Sequence, residues 1–172
     1  MLAVETENSV AEEADSGARS EKCEKPVIAA THAIAIGGAI DLISACDIRY
    51  AASDSIFSIK EVDVGLAADI GTLQRWPKII GNDSMARELA LTARNFDAKE
   101  AKEIGFLSKV VQGSHKEVVG ELLLFRFICG SDPLVFPDST AEAIKTAAEI
   151  ATKSPVATRG TKALMVYSRD HS

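Results

Sequence analysis

Residues 25–80 read KPVIAATHAIAIGGAIDLISACDIRYAASDSIFSIKEVDVGLAADIGTLQRWPKII, and the rest of the chain is interpreted from this segment. Its first part, Pro26 to Ala33, is an apolar run with the length and β-branched content of a buried strand. Gly37 and Gly38 follow, and then a helix-like segment from Ala39 to Cys46. This order places backbone N–H groups at a helix N-terminus beside the end of a buried strand. Such a place favours an anion or an oxygen that develops negative charge.

Three acidic residues, Asp41, Glu61 and Asp69, follow in otherwise apolar surroundings. Carboxylates near an oxyanion site are suited to moving protons next to a carbonyl group. The residues alone leave simpler interpretations open. Asp41 is also explained as an acid near a helix N-terminus, and Asp69 as the N-cap of a following helix. Gly38 is also explained as part of a tight strand-to-helix turn.

Two segments of the chain resemble the crotonase (enoyl-CoA hydratase/isomerase) superfamily. IGGAIDLISACDIRYAA is similar to its GG-x-x-[ED]-L-x-x-x-CD-[IL] signature. IKEVDVGLAADIGTLQRWPKIIG resembles one branch, the Δ3,5-Δ2,4-dienoyl-CoA isomerases, in which an acid stands at the positions of both Glu61 and Asp69. In hydratases the second position is typically glycine. The resemblance runs from about Ser20 to Ser114 and again from about Ala143 to Ser172.

The resemblance implies an α/β fold, a partial crotonase (ClpP-like) spiral of short strands flanked by helices. We expect a disordered acidic tail over residues 1–19 and a partial crotonase domain over residues 20–172, with an atypical insertion at about 120–138. The family's usual N-terminal β/α part and C-terminal helices are expected to be missing. Those parts supply the second oxyanion N–H, much of the coenzyme A site and contacts that form trimers.

The resemblance also implies a chemistry. Gly38 would donate its N–H to the oxyanion of the substrate, an acyl-CoA thioester. Glu61 and Asp69 would transfer the proton at the two ends of the conjugated system, and Asp41 would tune or support this pair. No cofactor and no metal are expected, since the substrate itself carries coenzyme A. By resemblance the protein would form a homo-oligomer, a trimer or hexamer, in a peroxisome or mitochondrion, although no targeting signal is recognised in the chain.

Two other functions remain open from the sequence. One is a catalytically weak or inactive crotonase remnant that acts as an interaction subunit. The other is an enoyl-CoA hydratase that uses Asp41 and Glu61 on water, and the acid at Asp69 counts against it. Ala33 and Ala39 stand where the family usually has glycines, which we expect to crowd the loop.

Composition excludes several further classes. A net charge of −6 at pH 7 argues against a nucleic-acid surface, which requires a basic stripe. No apolar run reaches the roughly 18 residues that predict a membrane span. Cys23, Cys46 and Cys129 lack metal-ligand spacing, and their odd number does not indicate a disulfide framework. Cys46 is expected to be a small core residue.

Local patterns predict the remaining elements. Asp47 to Ala52 and Ser55 to Lys60 are expected to form short strands around a turn at Ser53 and Asp54. Pro77 lies within a helix-like pattern and is expected to end or kink that helix. Asp97 to Glu100 has the form of a capping box and predicts another helix.

The last predicted helix runs from Val156 to about Ser168, following Ser154 and Pro155. Its residues available for burial are Val156, Thr161, Leu164 and Val166. The parts of the family that would cover this helix are not expected in the chain. We therefore expect poor stability and an apolar surface patch larger than the few hundred Å² usual for monomers.

Overall fold

The structure, a computed structural model, describes residues 19–113, 138–169 and 171 of the 172-residue chain. Its first sheet is parallel and has the order β1-β3-β6, built from β1 (Ile28–Thr31), β3 (Ile48–Ala52) and β6 (Lys109–Val111). Parallel neighbours need a crossover connection, and the chain between β1 and β3 provides one. The predicted strand at Pro26 to Ala33 is confirmed in its central part.

A second sheet has the order β2-β4-β5, with β2 (Ile34–Ile36), β4 (Ile56–Ser58) and β5 (Phe96–Asp97). Strand β2 runs parallel to β4, and β4 runs antiparallel to β5. The two strands expected around Ser53 and Asp54 therefore exist as β3 and β4, but they lie in different sheets. The turn between them moves the chain from one sheet to the other.

Helices connect and cover these strands. They are α1 (Gly38–Ala45), α2 (Thr72–Ile80), α3 (Asp83–Thr92), α4 (Ala98–Glu103), α5 (Asp138–Ala151) and α6 (Pro155–Tyr167), with a short 3-10 helix at Glu61–Val64. Helix α1 confirms the prediction for residues 39–46. The predicted cap of α4 is also confirmed, because Asp97 Oδ1 accepts a hydrogen bond from the Glu100 N–H at 2.7 Å.

Four aromatic side chains form the centre of the core: Phe57, Trp76, Phe96 and Phe106. The Trp76 and Phe106 rings lie 4.8 Å apart between centroids, and Phe57 stacks on Phe96 at 5.5 Å. Burying a side chain of this size stabilises the fold by about 1.5–3 kcal/mol relative to leaving it exposed. Cys46 is also buried, and burial raises the pKa of its thiol to about 12, which agrees with the predicted core role.

The sequence predicts that Pro77 ends or kinks helix α2. The helix continues through Pro77 and ends at Ile80, so Pro77 does not end it, and the kink stays a prediction. A proline within a helix removes one backbone hydrogen bond, and this loss is tolerated when tertiary packing holds the helix. Trp76 and Ile80, on either side of Pro77, are both buried in the core. The packing of these side chains therefore outweighs the local preference.

The large apolar side chains of α6 are mostly exposed, in agreement with the uncovered apolar surface that the sequence predicts for this helix. Val156 is 80% exposed and Leu164 is 71% exposed, whereas Lys162 is only 7% exposed. The Lys162 ammonium donates to the carbonyl oxygens of Ser20 and Lys25 and forms a 2.7 Å ion pair with Asp47. The helix therefore turns a polar face, and not its apolar stripe, toward the described residues.

Nearly all of the predicted tail at residues 1–19 and of the predicted insertion at 120–138 lies outside the described residues, so both stay predictions. Among the described helices, none is long and apolar enough to cross a membrane.

Candidate active site

The turn between β2 and α1 is made by two glycines. Gly37 has φ +58°, a left-handed backbone conformation that favours glycine, and its N–H donates to the Ser58 carbonyl oxygen at 3.1 Å. Gly38 is the first residue of α1. The first N–H groups of a helix have no acceptor within that helix, so the Gly38 N–H suits a negatively charged oxygen. The predicted position of Gly38 at a helix N-terminus is confirmed, and its oxyanion role stays a prediction.

Glu61 lies beside this glycine turn. It is the first residue of the 3-10 helix and is half-buried. A Cβ atom added to Gly37 would lie 3.4 Å from Glu61 Oε1, so the carboxylate contacts the face of the turn that glycine leaves open. This contact joins two segments that the sequence places 24 residues apart (61 − 37 = 24).

Asp41 is buried, with only 3% of its surface exposed. Its Oδ1 accepts a 2.6 Å hydrogen bond from the backbone N–H of Thr72, the first residue of α2. A carboxylate at this place interacts favourably with the positive end of the helix dipole. Asp41 therefore stabilises the N-terminus of α2 as well as belonging to α1, which the sequence pattern did not indicate.

Burial raises the pKa of Asp41 above the ordinary value of an aspartate, because an ionised carboxylate loses hydration there. Two features oppose this effect: the hydrogen bonding by Thr72 and the positive charge of Arg75. The negative charge of Asp69 adds to the rise. Asp41 and Asp69 are thus close enough for the charge of Asp69 to act on the Asp41 carboxylate.

Asp69 lies in a three-residue turn, residues 69–71, immediately before α2. Its side chain is exposed, and its carbonyl oxygen accepts a 3.4 Å hydrogen bond from Gln74 Nε2. The interpretation of Asp69 as the N-cap of α2 is wrong, because Gly71 occupies that position. Since Asp41 supplies the carboxylate for α2, the Asp69 side chain is not needed as a cap.

The structure thus brings Glu61 to the Gly37 turn and joins Asp41 to Asp69 through the start of α2. The catalytic roles of these three acids stay predictions. Sequence reasoning missed Thr72 and Arg75. The pair Gly71-Thr72 before an amphipathic helix was visible, but no local signal connects that pair with Asp41.

The two alanines at usual glycine positions differ in their surroundings. Ala33 has φ +56°, in the left-handed region where an L side chain is strained and glycine is favoured. Ala39 lies within α1, where alanine is the most favourable residue. Alanine in place of the usual glycine therefore strains the backbone at Ala33 and does not strain it at Ala39.

Within the described part of the chain, no group of three or more His, Cys, Asp or Glu side chains is arranged to hold a metal ion.

Comparison with known proteins identifies relatives for most of the chain. The model of a protein family described as enoyl-CoA hydratase/isomerase matches residues 5–125. The chain is 50% identical over 155 residues to the mitochondrial Delta(3,5)-Delta(2,4)-dienoyl-CoA isomerase of Pongo abelii, a match that covers 88% of the chain and 40% of that relative. It is 48% identical over 153 residues to the peroxisomal Delta(3,5)-Delta(2,4)-dienoyl-CoA isomerase of Arabidopsis thaliana, covering 88% of the chain and 46% of that relative. The chain therefore spans less than half the length of these relatives.

Solved structures agree with the sequence relatives. A probable enoyl-CoA hydratase/isomerase from Mycobacterium abscessus superposes with a TM-score of 0.76 and 27% identity, over 95% of this chain and 54% of that one. An enoyl-CoA hydratase from Mycobacterium tuberculosis superposes with a TM-score of 0.70 and 32% identity, over 87% and 50% of the two chains. The predicted α/β fold of crotonase type is confirmed.

Proposed function

Because the chain belongs to the enoyl-CoA hydratase/isomerase family, we propose that it is an isomerase of the dienoyl-CoA type, acting on acyl-CoA thioesters. The observation that carries this proposal is the acid pair at Glu61 and Asp69. Glu61 contacts the Gly37 turn, and Asp69 interacts electrostatically with Asp41. The relatives with 48–50% identity are named as dienoyl-CoA isomerases, which supports the same substrate class.

The proposed reaction moves one proton along a conjugated system. One carboxylate removes a proton near C2, so a C–H bond breaks and negative charge develops on the thioester oxygen. The other carboxylic acid gives a proton near C6, and the new C–H bond completes the shift from a 3,5-diene to a 2,4-diene. We leave open which of Glu61 and Asp69 acts at which end.

Gly38 is proposed to donate its N–H to the developing enolate oxygen. A preorganised donor of this kind contributes about 3–4 kcal/mol of transition-state stabilisation. The helix dipole of α1 adds to this effect, because its positive end lies at Gly38. Asp41 would support the pair by holding the start of α2, which follows the turn that carries Asp69.

The cellular setting is part of the proposal. The named relatives are mitochondrial in Pongo abelii and peroxisomal in Arabidopsis thaliana, so we place this protein in one of these two compartments. A homo-oligomer, trimeric or hexameric, is proposed with it.

The test is to incubate the purified chain with a 3,5-dienoyl-CoA and follow the absorbance of the conjugated 2,4-dienoyl product. Glu61→Gln and Asp69→Asn should each lower the rate by at least about 10²–10⁴-fold, because each amide keeps the side-chain shape and loses the acid. Asp41→Asn should lower the rate by a smaller factor, since the amide oxygen still accepts a hydrogen bond from the Thr72 N–H.

A matched control is Asp63→Asn. Asp63 lies in the same 3-10 helix as Glu61, is exposed and pairs with Lys60 at the surface, so its amide should leave the rate unchanged. Equal trace rates in the wild type and in both acid variants would contradict the isomerase and favour the inactive interaction subunit. Hydration of a 2-enoyl-CoA without isomerisation would favour the hydratase.

A further inference from the structure

Arg75 lies at the start of α2 and is held by a residue far away in the sequence. Its Nε and Nη2 atoms bind the two carboxylate oxygens of Glu21 at 2.9 and 3.0 Å. This two-point geometry fixes the plane of the guanidinium group more firmly than a single contact does. Glu21 Oε1 also accepts from Arg169 Nη1 at 2.9 Å. The Arg75 side chain is 13% exposed, so the ion pair is largely shielded from solvent.

The third nitrogen of the guanidinium group, Nη1, faces the turn that carries Asp69. A Cβ atom added to Gly71 would overlap Nη1, so this nitrogen packs directly on the Gly71 backbone. Nη1 is buried, and no hydrogen-bond acceptor for it is found within residues 19–113, 138–169 and 171. A buried donor without an acceptor costs free energy. The position is therefore imposed by the Glu21 pair and by the packing on Gly71.

The charge of Arg75 also acts on the acid cluster. The charged side chains with a resolved effect on the Asp41 carboxylate are Arg75 and Asp69, and Arg75 favours its ionised form. An ionised Asp41 makes the stronger bond to the Thr72 N–H, because hydrogen bonds to charged acceptors are stronger than those to neutral ones. Arg75 therefore contacts the turn at Gly71, and its positive charge favours the ionised form of Asp41.

We propose that Arg75, clamped by Glu21, is a positioning residue of the acid site. Its guanidinium packs on Gly71 and so supports the turn at residues 69–71, which carries Asp69 and precedes the Thr72 N–H that binds Asp41. The catalytic part of this inference rests on the proposed isomerase function. Its structural content, the coupling of Arg75 to Asp41, is independent of any activity.

The first measurement therefore needs no substrate. The pKa of Asp41 is followed by carbon-13 NMR of the carboxyl groups, with Asp41→Asn used to assign the signal. Arg75→Gln should raise this pKa above that of the wild type, because a favourable positive charge is lost. Arg75→Lys should raise it less, since the charge remains and only the two-point geometry is lost. The matched control is Arg87→Gln, an exposed arginine that pairs with Asp83 on α3, and it should leave the value unchanged.

The second measurement is the pH dependence of the isomerase rate. Arg75→Gln should lower kcat by about 10- to 100-fold with little change in KM, as expected for a misplaced catalytic group. The acidic limb of its pH profile should move to higher pH, which a merely structural role would not produce. Glu21→Gln should show the same two changes more weakly.

An unchanged Asp41 pKa in folded Arg75→Gln would overturn the proposal. If that variant does not fold, Arg75→Lys and Glu21→Gln decide in its place by the same criterion. A wild type without isomerase activity whose Asp41 pKa still responds to Arg75→Gln would reject the proposed function and keep the coupling. An active wild type with an unresponsive Asp41 would reject only the role of Arg75.

Discussion

Different interactions stabilise two regions of the molecule: apolar packing stabilises the aromatic core, and ion pairs attach helix α6. Around Phe106 the side chains are fully buried, and four aromatic rings contact one another. Helix α6 exposes its large apolar residues and is held by ionic contacts. Its ion pairs in the described structure are Lys162–Asp47 and Arg159–Glu24, and Arg169, just after the helix, pairs with Glu21.

This difference bears on which region fixes the positions of the residues in the candidate site. Helix α2 places Trp76 in the aromatic core and Thr72 at the Asp41 carboxylate, so core packing fixes the site directly. Among the described residues, Arg169, which follows the end of α6, connects this region to the site by pairing with Glu21, which also binds Arg75. Exposed ion pairs are screened by salt, whereas apolar packing is not. We therefore expect the two regions to respond differently to mutation and to salt.

The largest effect is expected in the aromatic core. Phe106→Ala should lower the free energy of unfolding by about 3–5 kcal/mol, because it removes a fully buried ring and leaves a cavity. Chemical denaturation followed by tryptophan fluorescence measures this, since Trp76 packs on the Phe106 ring. Leu91→Ala is the control at an exposed position and should stay within about 0.5 kcal/mol of the wild type. Equal losses in both variants would contradict the assignment of the core.

A smaller effect is expected where α6 is attached. Lys162→Met keeps most of the side-chain length and leaves the Asp47 carboxylate without its ammonium partner. The loss should be about 2 kcal/mol, below the 3–5 typical of fully buried pairs, because the Asp47 side chain is 20% exposed. Arg159→Met removes an exposed pair with Glu24 and should cost under about 1 kcal/mol.

The same denaturation assay at low and high salt sharpens this comparison. The small contribution of Arg159 should disappear in high salt, whereas the contribution of Lys162 should largely remain because its ion pair is shielded. Lys162 and Arg159 variants of equal stability would show that α6 is not anchored at Lys162.

The smallest effect on folding is expected on the exposed face of α6. Leu164→Gln should change the free energy of unfolding by at most about 0.5 kcal/mol, because Leu164 packs against little in the described structure. The same variant should bind less of a hydrophobic dye and elute as a sharper peak in size-exclusion chromatography. A loss above 1 kcal/mol that grows with protein concentration would instead mean that a second copy of the chain buries Leu164.

Some elements could be predicted correctly because the sequence pattern that specifies each of them lies within a few residues. The glycine pair followed by an apolar helix predicted α1, and the Asp97 cap predicted α4. Both depend on hydrogen bonds between residues a few positions apart. The prediction for α6 was correct in its span and in the exposure of its apolar residues, but the burial of Lys162 was not visible, because an apolar stripe shows only which residues would favour burial. What covers a stripe depends on the rest of the molecule.

The sequence by itself determined the family, the α/β elements and the identity of the acids Asp41, Glu61 and Asp69. Only the tertiary structure decided that Asp41 binds the N-terminus of α2, that Gly71 occupies the cap position predicted for Asp69, and that Glu21 holds Arg75 against the turn. The reason is physical. Residue type and spacing fix backbone preferences over a few positions, whereas Glu21 and Arg75 lie 54 positions apart and meet only when packing has placed α2.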